Sequence, residues 1–303
     1  MKKQLFVLFL LLIPADWMLP PPSCATRTSA AMRSVAVICV DGMRPDLLLR
    51  ARAPNMRRLM EDGSFTFWAQ TTEMAVTLPS CVSMLTGVPP EKHKITFNTD
   101  PPAGGNVYPA YPTIFELAKK AGCTTALTAG KSKLSVLARP GTVDWQSLPA
   151  RGEEADDAGV AEAAAAIVAR HRPRLLFVHF ADTDKMGHEY GWGSSEQVAG
   201  TERTDAAVGV VLAAIDHAGL MGSTMILLTA DHGGAGRDHG SGDPRSRTIP
   251  WIVAGPGVAR GVDLTLHRGL TVSIEDTFAT ACHYMGIKTG TADGKPVRQI
   301  WSK

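Results

Sequence analysis

Three acidic residues stand at or just beyond the ends of three apolar runs of the chain, and this placement points to metal chemistry. Asp41 and Asp231 come directly after two of the runs, and Asp184 lies four residues after the third. If the runs are parallel strands, their carboxyl ends share one edge of a sheet, where ligands bind. Three carboxylates gathered at a buried edge need a cation to neutralise them. We therefore expect a metal site at this edge.

Histidines accompany these carboxylates at spacings that suit metal ligands. His188 follows Asp184 by one helical turn, His232 is adjacent to Asp231, and His239 lies a few residues further on. Any one of these residues could be a capping aspartate or a surface histidine. Together they exceed what one ion can use, so they predict two divalent ions. Aspartate and histidine without cysteine suit Zn²⁺, with Mn²⁺ or Fe as alternatives.

Thr77 supplies a hydroxyl at the start of a predicted helix that contains Pro79 in its first turn. A helix N-terminus attracts anions, and proline is favoured in this position. One interpretation is a plain N-cap threonine. Beside metal ions that lower its hydroxyl pKa, the same residue becomes a nucleophile.

The elements that must position these residues alternate between strands and helices. The predicted strands are 35–40, 124–128, 174–180, 224–230 and 250–253, and the predicted helices are 54–60, 78–86, 113–121, 155–170, 194–217 and 273–285. This alternation predicts an α/β fold, a mostly parallel sheet with helices on both faces. Because no repeat, linker or charge block divides the chain, residues 26–303 are expected to form a single domain.

Residues 1–25 are typical of a secretory signal peptide. Two lysines precede the apolar run 5–14, and small residues around Ala25 suit cleavage. The run is too short to span a bilayer comfortably, so no stable membrane insertion is expected after cleavage. The predicted location is periplasmic or secreted. Lipid attachment at Cys24 is an alternative that the prolines before this residue disfavour.

Composition narrows the class of partner. The formal net charge of +2 over 303 residues comes without a basic stripe, so binding to a nucleic-acid polymer is not expected. A small phosphorylated substrate fits better, and the oligomeric state stays open. Cleavage after Ala25 leaves four cysteines without a C-x-x-C pair, which predicts buried free thiols.

Several motifs recur in the order seen in the alkaline phosphatase superfamily, and the chain most resembles its type I phosphodiesterase/nucleotide pyrophosphatase branch. The motifs are Val37-Ile38-Cys39-Val40-Asp41-Gly42, Thr77-Leu78-Pro79-Ser80, Thr86-Gly87-x-x-Pro90-x-x-His93, Asp184-x-x-x-His188, Asp231-His232-Gly233 and His239-Gly240. The resemblance covers most of the chain and implies an alkaline phosphatase-like core with a minimal capping insertion. It also implies that one ion is held by Asp41, Thr77, Asp231 and His232, and the other by Asp184, His188 and His239.

The resemblance extends to residues that would contact the substrate. Asn98 matches an asparagine that binds a non-bridging phosphate oxygen. Lys131 and Lys133 resemble a paired-lysine segment of phosphonoacetate hydrolases and some monoester phosphatases, although a solvated basic loop is an alternative interpretation. Leu78 stands where nucleotide-cleaving members commonly have an aromatic residue, which disfavours nucleotide specificity.

Four functional hypotheses follow. In the first, a metal-dependent phosphatase or phosphodiesterase uses Thr77 to attack phosphorus in line, and the phosphothreonine is then hydrolysed. The second is a phosphonoacetate hydrolase-like phosphonatase, the third a phosphotransferase acting on an alcohol or lipid headgroup, and the fourth a silent binding protein. A sulfatase is disfavoured because that branch needs cysteine or serine where Thr77 stands, and arginine where Cys81 stands.

Overall fold

Eight strands form one sheet in the part of the chain that the computed structural model describes, which is residues 33–102, 107–240 and 242–302. The strands are β1 (Ser34–Val40), β2 (Gly63–Gln70), β3 (Thr125–Ala129), β4 (Trp145–Ser147), β5 (Leu175–Phe180), β6 (Thr224–Thr229), β7 (Thr248–Ala254) and β8 (Val262–Asp263). Their order in the sheet is β4-β3-β5-β1-β6-β7-β2-β8. The predicted signal peptide, residues 1–25, lies outside the described residues.

The sheet is mostly parallel, and the predicted fold class is confirmed. Strands β4, β3, β5, β1 and β6 run parallel, whereas β7 is antiparallel to both β6 and β2. Every residue of β1, β3, β5 and β6 is buried. Strands buried at every position must be covered on both faces, as the continuous apolar runs predict. Strands β2, β4 and β8 were not among the predicted elements.

The helices form two groups around the sheet. They are α1 (Pro45–Arg50), α2 (Pro54–Glu61), α3 (Thr77–Thr86), α4 (Pro90–His93), α5 (Ile114–Lys120), α6 (Asp157–His171), α7 (Asp182–Tyr190), α8 (Ser195–His217), α9 (Pro244–Arg247) and α10 (Glu275–Met285). Helix α8 packs against α1, α2, α6 and α7, while α3 packs against α4 and α10. Among the described residues, none of the helices is long and apolar enough to cross a membrane.

Local signals explain several helix starts. Ser194 caps α8 and Asp156 caps α6, each by accepting a hydrogen bond from a backbone N–H of the first turn. Helix α5 begins with a capping box, in which Thr113 and Glu116 each bond the other's backbone N–H. These caps satisfy N–H groups that a helix start otherwise leaves unpaired.

The described cysteines are buried and unpaired, as the sequence predicts. They are Cys39, Cys81, Cys123 and Cys282.

Neighbouring strands bring the strand-end residues together. Strands β5, β1 and β6 are adjacent in the sheet, and Cys39 of β1 is in register with both His179 of β5 and Thr229 of β6. The chain therefore leaves the three strands at the same edge, within a few residues of Asp41, Asp184 and Asp231. That edge carries the candidate site.

Candidate active site

Asp41, Asp231 and His232 form a buried group at the ends of β1 and β6, here called the inner cluster. None of the three has exposed surface, and their ligand atoms lie within 4.8 Å of one another. His232 Nε2 is 3.2 Å from Asp41 Oδ1 and 3.6 Å from Asp231 Oδ2. The inner cluster offers two carboxylates and one imidazole to a single point.

Asp184, His188 and His239 form a second group, here called the outer cluster, whose ligand atoms also lie within 4.8 Å of one another. Helix α7 sets Asp184 and His188 one turn apart. Asp184 Oδ1 is 3.5 Å from His188 Nε2 and 3.9 Å from His239 Nε2. Asp184 is buried, but the His188 side chain is 43% exposed, so this cluster opens toward solvent.

The two clusters are adjacent. His232 Nε2 of the inner cluster lies 4.0 Å from Asp184 Oδ1 of the outer cluster. The rings of His232 and His239 stack with their centroids 3.8 Å apart. The structure therefore brings the sequence-predicted ligands together in the same two groups that the family resemblance implies.

The main chain orients all three histidine rings. Nδ1 of His188, His232 and His239 lies 3.0, 2.8 and 2.9 Å, respectively, from a backbone carbonyl oxygen. Because a carbonyl only accepts, Nδ1 carries the proton, and Nε2 of a neutral ring presents its lone pair. Each Nε2 faces a carboxylate oxygen, which is also an acceptor. This arrangement is typical of histidines that bind a cation through Nε2.

The electrostatics of the clusters favour bound positive charge. Although burial opposes it, the carboxylates of Asp231 and Asp41 raise the pKa of His232 to about 10. Burial and the neighbouring His232 lower the pKa of His239 to about 4, which keeps that ring neutral. Burial and repulsion from Asp41 raise the pKa of Asp231 well above its usual range. The proton on His232 therefore partly neutralises the carboxylates of Asp41 and Asp231, and a divalent ion would neutralise them more completely.

The carboxylate oxygens are under-satisfied, which fits a missing cation. Both oxygens of Asp41 and Oδ1 of Asp184 are buried without a well-directed hydrogen bond to any described residue. Lys131 Nζ lies 2.7 Å from Asp41 Oδ2 and 2.6 Å from Asp184 Oδ2. One ammonium cannot balance three buried carboxylates. Two divalent ions of the zinc class suit the donor set.

Thr77 is the first residue of α3, and its buried Oγ1 lies 3.3 Å from His232 Nε2. The cap position is Val76, so the hydroxyl of Thr77 is not an N-cap. In the loop before it, Ala75 has a left-handed φ of 47°, a strained conformation for alanine. The carbonyl of this residue accepts the Nδ1–H of His239. The strained loop thus connects Thr77 to the outer cluster.

Asn98 and Lys133 lie together beside the start of α3. Asn98 Oδ1 accepts hydrogen bonds from the Leu78 backbone N–H at 2.9 Å and from Lys133 Nζ at 3.0 Å. The amide nitrogen of Asn98 is therefore the group left to donate to a ligand. Burial and the nearby Lys131 lower the pKa of Lys133.

Lys131 and Lys133 contact different residues. Lys131 lies between Asp41 and Asp184 with its side chain 7% exposed. The alternative of a solvated basic loop is therefore wrong for Lys131. The ammonium of Lys131 contacts the predicted metal ligands Asp41 and Asp184, and that of Lys133 contacts Asn98.

Gly42 occupies the narrow space between the clusters. Its backbone N–H donates to Asp231 Oδ1 at 3.2 Å, and its carbonyl accepts from Trp192 Nε1 at 2.9 Å. Its φ of +69° favours glycine, and an added Cβ would lie 2.9 Å from Asp184 Cα. Only a residue without a side chain fits here.

The sequence analysis did not single out His179, which the structure places at the same edge. This fully buried residue of β5 has its Nε2 3.1 Å from Asp41 Oδ2. The sequence feature that could have identified His179 is its position as a histidine inside an otherwise apolar strand.

Comparisons with known proteins identify the family and the fold. The sequence matches the family described as type I phosphodiesterase/nucleotide pyrophosphatase over residues 35–240. Solved structures of human and murine ectonucleotide pyrophosphatase/phosphodiesterase 5 are similar, with TM-scores of 0.73 and 0.71, 14% identity, and coverage of 89% of this chain and 100% of theirs. A 2-O GAG sulfatase is similar with a TM-score of 0.69 and 14% identity, covering 88% of this chain and 73% of the sulfatase.

One curated sequence relative is arylsulfatase K of Danio rerio. It is 32% identical over 106 residues, which span 33% of this chain and only 20% of the sulfatase. The structural likenesses, at low identity, show a shared fold. The family match supports an ester hydrolase. Because the family match covers more than half of the sequence, the chain belongs to the type I phosphodiesterase/nucleotide pyrophosphatase family.

Proposed function

We propose that this protein is a metal-dependent hydrolase of phosphate esters with Thr77 as its nucleophile. The observation that carries the proposal is the convergence of three histidine Nε2 atoms on buried carboxylates, with Thr77 Oγ1 3.3 Å from Nε2 of His232. Cation-assisted nucleophilic attack requires histidine and carboxylate ligand atoms that converge beside a hydroxyl group.

The two clusters have separate roles in binding metal. The inner cluster together with Thr77 would hold one divalent ion, and the outer cluster would hold the second. Bound divalent ions in such sites lower the pKa of a hydroxyl and neutralise charge on the leaving oxygen. Zn²⁺ suits the donors best, with Mn²⁺ or Fe as alternatives.

The reaction has two displacements at phosphorus. Thr77 Oγ1 forms a bond to phosphorus as the ester bond to the leaving oxygen breaks; the hydroxyl proton of Thr77 is lost to solvent, and the leaving oxygen takes up a proton from solvent. A water molecule then attacks the phosphothreonine and passes one proton to Thr77 Oγ1, which regenerates the hydroxyl and releases phosphate from a monoester or a phosphate monoester from a diester. Asn98 and Lys133 are placed to bind a non-bridging oxygen, and the N-terminus of α3 favours the anion.

Relatives support parts of this scheme. A murine ectonucleotide pyrophosphatase/phosphodiesterase 5 solved with AMP is described as inactive and carries a threonine-to-alanine substitution. That description supports a threonine in the essential role. Leu78 argues against base stacking in this chain, so we propose a small phosphorylated substrate other than a nucleotide. The N-terminal pattern supports a periplasmic or secreted enzyme.

Two alternatives keep the same intermediate. A phosphonatase would use Lys133 to bind a second anionic group of the substrate, and a phosphotransferase would pass the phosphoryl group to an alcohol. Added alcohol should yield a phosphorylated alcohol only if the chain is a transferase.

The test is a substrate panel with the purified chain before and after chelation. The panel contains nitrophenyl phosphate monoester, bis-nitrophenyl diester, a nucleotide, phosphonoacetate and nitrophenyl sulfate. We expect phosphate ester cleavage that a chelator abolishes and Zn²⁺ restores. Sulfate cleavage alone, or no cleavage by protein loaded with Zn²⁺, Mn²⁺ and Fe²⁺ in turn, would overturn the proposal.

A further inference from the structure

Behind the inner cluster lies a second group of potential ligands that the proposed reaction does not use. Cys39, Cys81 and His179 meet there beside Asp231, and we call these four residues the thiol cluster. All four have no exposed surface. Cysteine sulfur, histidine nitrogen and carboxylate oxygen are each zinc ligands, and four donors complete a tetrahedral site.

The geometry of the thiol cluster is close to that of a metal site. One ligand atom from each residue lies within 4.8 Å of all the others. In a tetrahedral site with Zn–S bonds of about 2.3 Å, neighbouring ligand atoms are about 3.8 Å apart. Small side-chain rotations would therefore close the group around an ion.

Rigid elements hold the four ligands from different directions. Cys39 and His179 are register partners on β1 and β5, Cys81 belongs to α3, and Asp231 follows β6. Sites built on strands and helices keep their geometry better than sites on loops. The thiol cluster therefore exists before any ion binds.

His179 provides a second observation, a buried ring that is incompletely hydrogen-bonded. Neither of its ring nitrogens makes a hydrogen bond to a described residue, although the ring is completely buried. Its Nε2 lies 3.1 Å from Asp41 Oδ2 without hydrogen-bond geometry. A buried imidazole is normally paired, because leaving its polar atoms unpaired is unfavourable. Coordination of an ion would satisfy the ring.

Asp231 links the thiol cluster to the inner cluster. Its Oδ2 lies 3.9 Å from Cys81 Sγ and 3.6 Å from His232 Nε2. Its Oδ1 is held separately by the backbone N–H groups of Gly42 and His232, at 3.2 and 3.0 Å. The carboxylate is thus fixed with one oxygen between the two clusters.

We propose that the thiol cluster binds a third ion of the zinc class, distinct from the two of the proposed reaction. On binding, the two thiols release their protons to solvent and become thiolate ligands, with neutral His179 and the Asp231 carboxylate completing four donors. A closed four-ligand site leaves no position for substrate, so its role is structural. The ion would tie α3, which carries Thr77, to strands β1 and β5.

The first test uses the full chain, purified under reducing conditions, stripped of metal and reloaded with Co²⁺. We expect an intense near-ultraviolet thiolate-to-cobalt charge-transfer band. Cys39→Ser and Cys81→Ser should each lower it at least two-fold and reduce bound metal by one ion per chain. Cys282→Ser is the matched control, because Cys282 is equally buried and unpaired but outside the cluster. Its band should equal that of the wild type.

A second measurement needs no variant and so does not depend on how the variants fold. X-ray absorption of the zinc-loaded wild-type chain should show sulfur neighbours at about 2.3 Å. The catalytic ligands contain only oxygen and nitrogen, so a sulfur signal supports the third ion even if no ester is cleaved. An absence of sulfur neighbours, or recovery of Cys39 and Cys81 as a disulfide-linked peptide pair, would overturn the inference.

Discussion

The inner and outer clusters use the same ligand types in opposite surroundings. Every inner residue is fully buried, whereas the outer cluster includes the half-exposed His188. Ligand chemistry alone would give the two ions similar affinities. Burial distinguishes them, because the inner ligands have no exposed surface, whereas the outer cluster opens toward solvent at His188. The comparison suggests a retained inner ion and an exchangeable outer ion.

The clusters also differ in what they adjoin. The inner cluster contacts the proposed nucleophile, with His232 Nε2 3.3 Å from Thr77 Oγ1. The outer cluster contacts the loop before α3 through the Nδ1–H of His239, which donates to the carbonyl of Ala75. We therefore assign activation of the nucleophile to the inner side, and entry of substrate and departure of product to the outer side.

The largest expected effect tests the inner side directly. Thr77→Ala should lower kcat by about 10³-fold or more, because the attacking oxygen is removed. Metal content should stay largely intact, because the three residues of the inner cluster remain. Steady-state phosphate release and elemental analysis measure the two quantities. Thr86→Ala is the control, since Thr86 is a buried threonine at the other end of α3. A loss of only a few-fold would indicate direct attack by water.

The next effect distinguishes the two clusters. His232→Ala and His188→Ala should each weaken metal binding by about 100-fold or more, since each removes a ligand. Activity of the His188 variant should recover as free Zn²⁺ is raised, because the outer ion exchanges with solvent, whereas the His232 variant should not recover. Activity titrations against buffered Zn²⁺ measure this, with His283→Ala on exposed α10 surface as control. Recovery of both variants at the same concentration would refute the comparison.

A smaller effect concerns the lysines beside the clusters. Lys133→Ala should lower kcat/KM for a nitrophenyl phosphate monoester by about 10-fold and spare the diester, because the monoester carries an extra anionic oxygen. Lys131→Ala should depress both substrates, since Lys131 neutralises Asp41 and Asp184. Lys185→Ala, on the exposed side of α7, is the control. Equal losses on both esters in the Lys133 variant would remove its role in discrimination.

The last prediction concerns the stability of the fold around α3 and not catalysis. His93 Nε2 lies 3.0 Å from Ser83 Oγ of α3. Burial lowers the pKa of His93 from 6.5 to about 4. Between those values the unfolded chain binds a proton that the native chain does not. The free energy of unfolding should therefore fall as pH falls from 6.5 to 4, by about 3 kcal/mol in total.

The measurement is urea unfolding at several pH values in the wild type and in His93→Gln. The variant should lack this part of the slope. Burial raises the pKa of Asp157 to about 6, which contributes a slope of opposite sign in the same range. The difference between the two proteins cancels that contribution. Parallel pH profiles would show that His93 does not contribute.

Much of the fold and the metal-ligand set could be predicted from the sequence because both depend on local order. Continuous apolar runs identified β1, β5 and β6, and the acidic residues after them needed only a shared sheet edge to meet. The spacing of Asp184 and His188 also predicted their shared helix face. These inferences require no knowledge of which strands are neighbours.

Other features depended on pairings between distant segments. Strand β2 pairs with β7, whose residues lie about 180 positions further along the chain. The alternating Phe65 and Phe67 were the local feature that could have indicated a strand there. His179 looked like one polar residue in a buried strand. Its approach to Cys39 follows from the adjacency of β5 and β1, which no local pattern reveals. The thiol cluster therefore became visible only in three dimensions.

Gly42 has a consequence for catalysis beyond its own turn. Its N–H holds the inner carboxylate of Asp231, while its missing side chain lets the outer carboxylate of Asp184 approach. The gap between the two clusters is thus set by main-chain atoms, which sequence change elsewhere cannot easily alter. In the proposed reaction, the phosphoryl group would span that gap. The distance between the two clusters is therefore fixed by the main chain, and every candidate substrate must fit it, whatever group the phosphate carries.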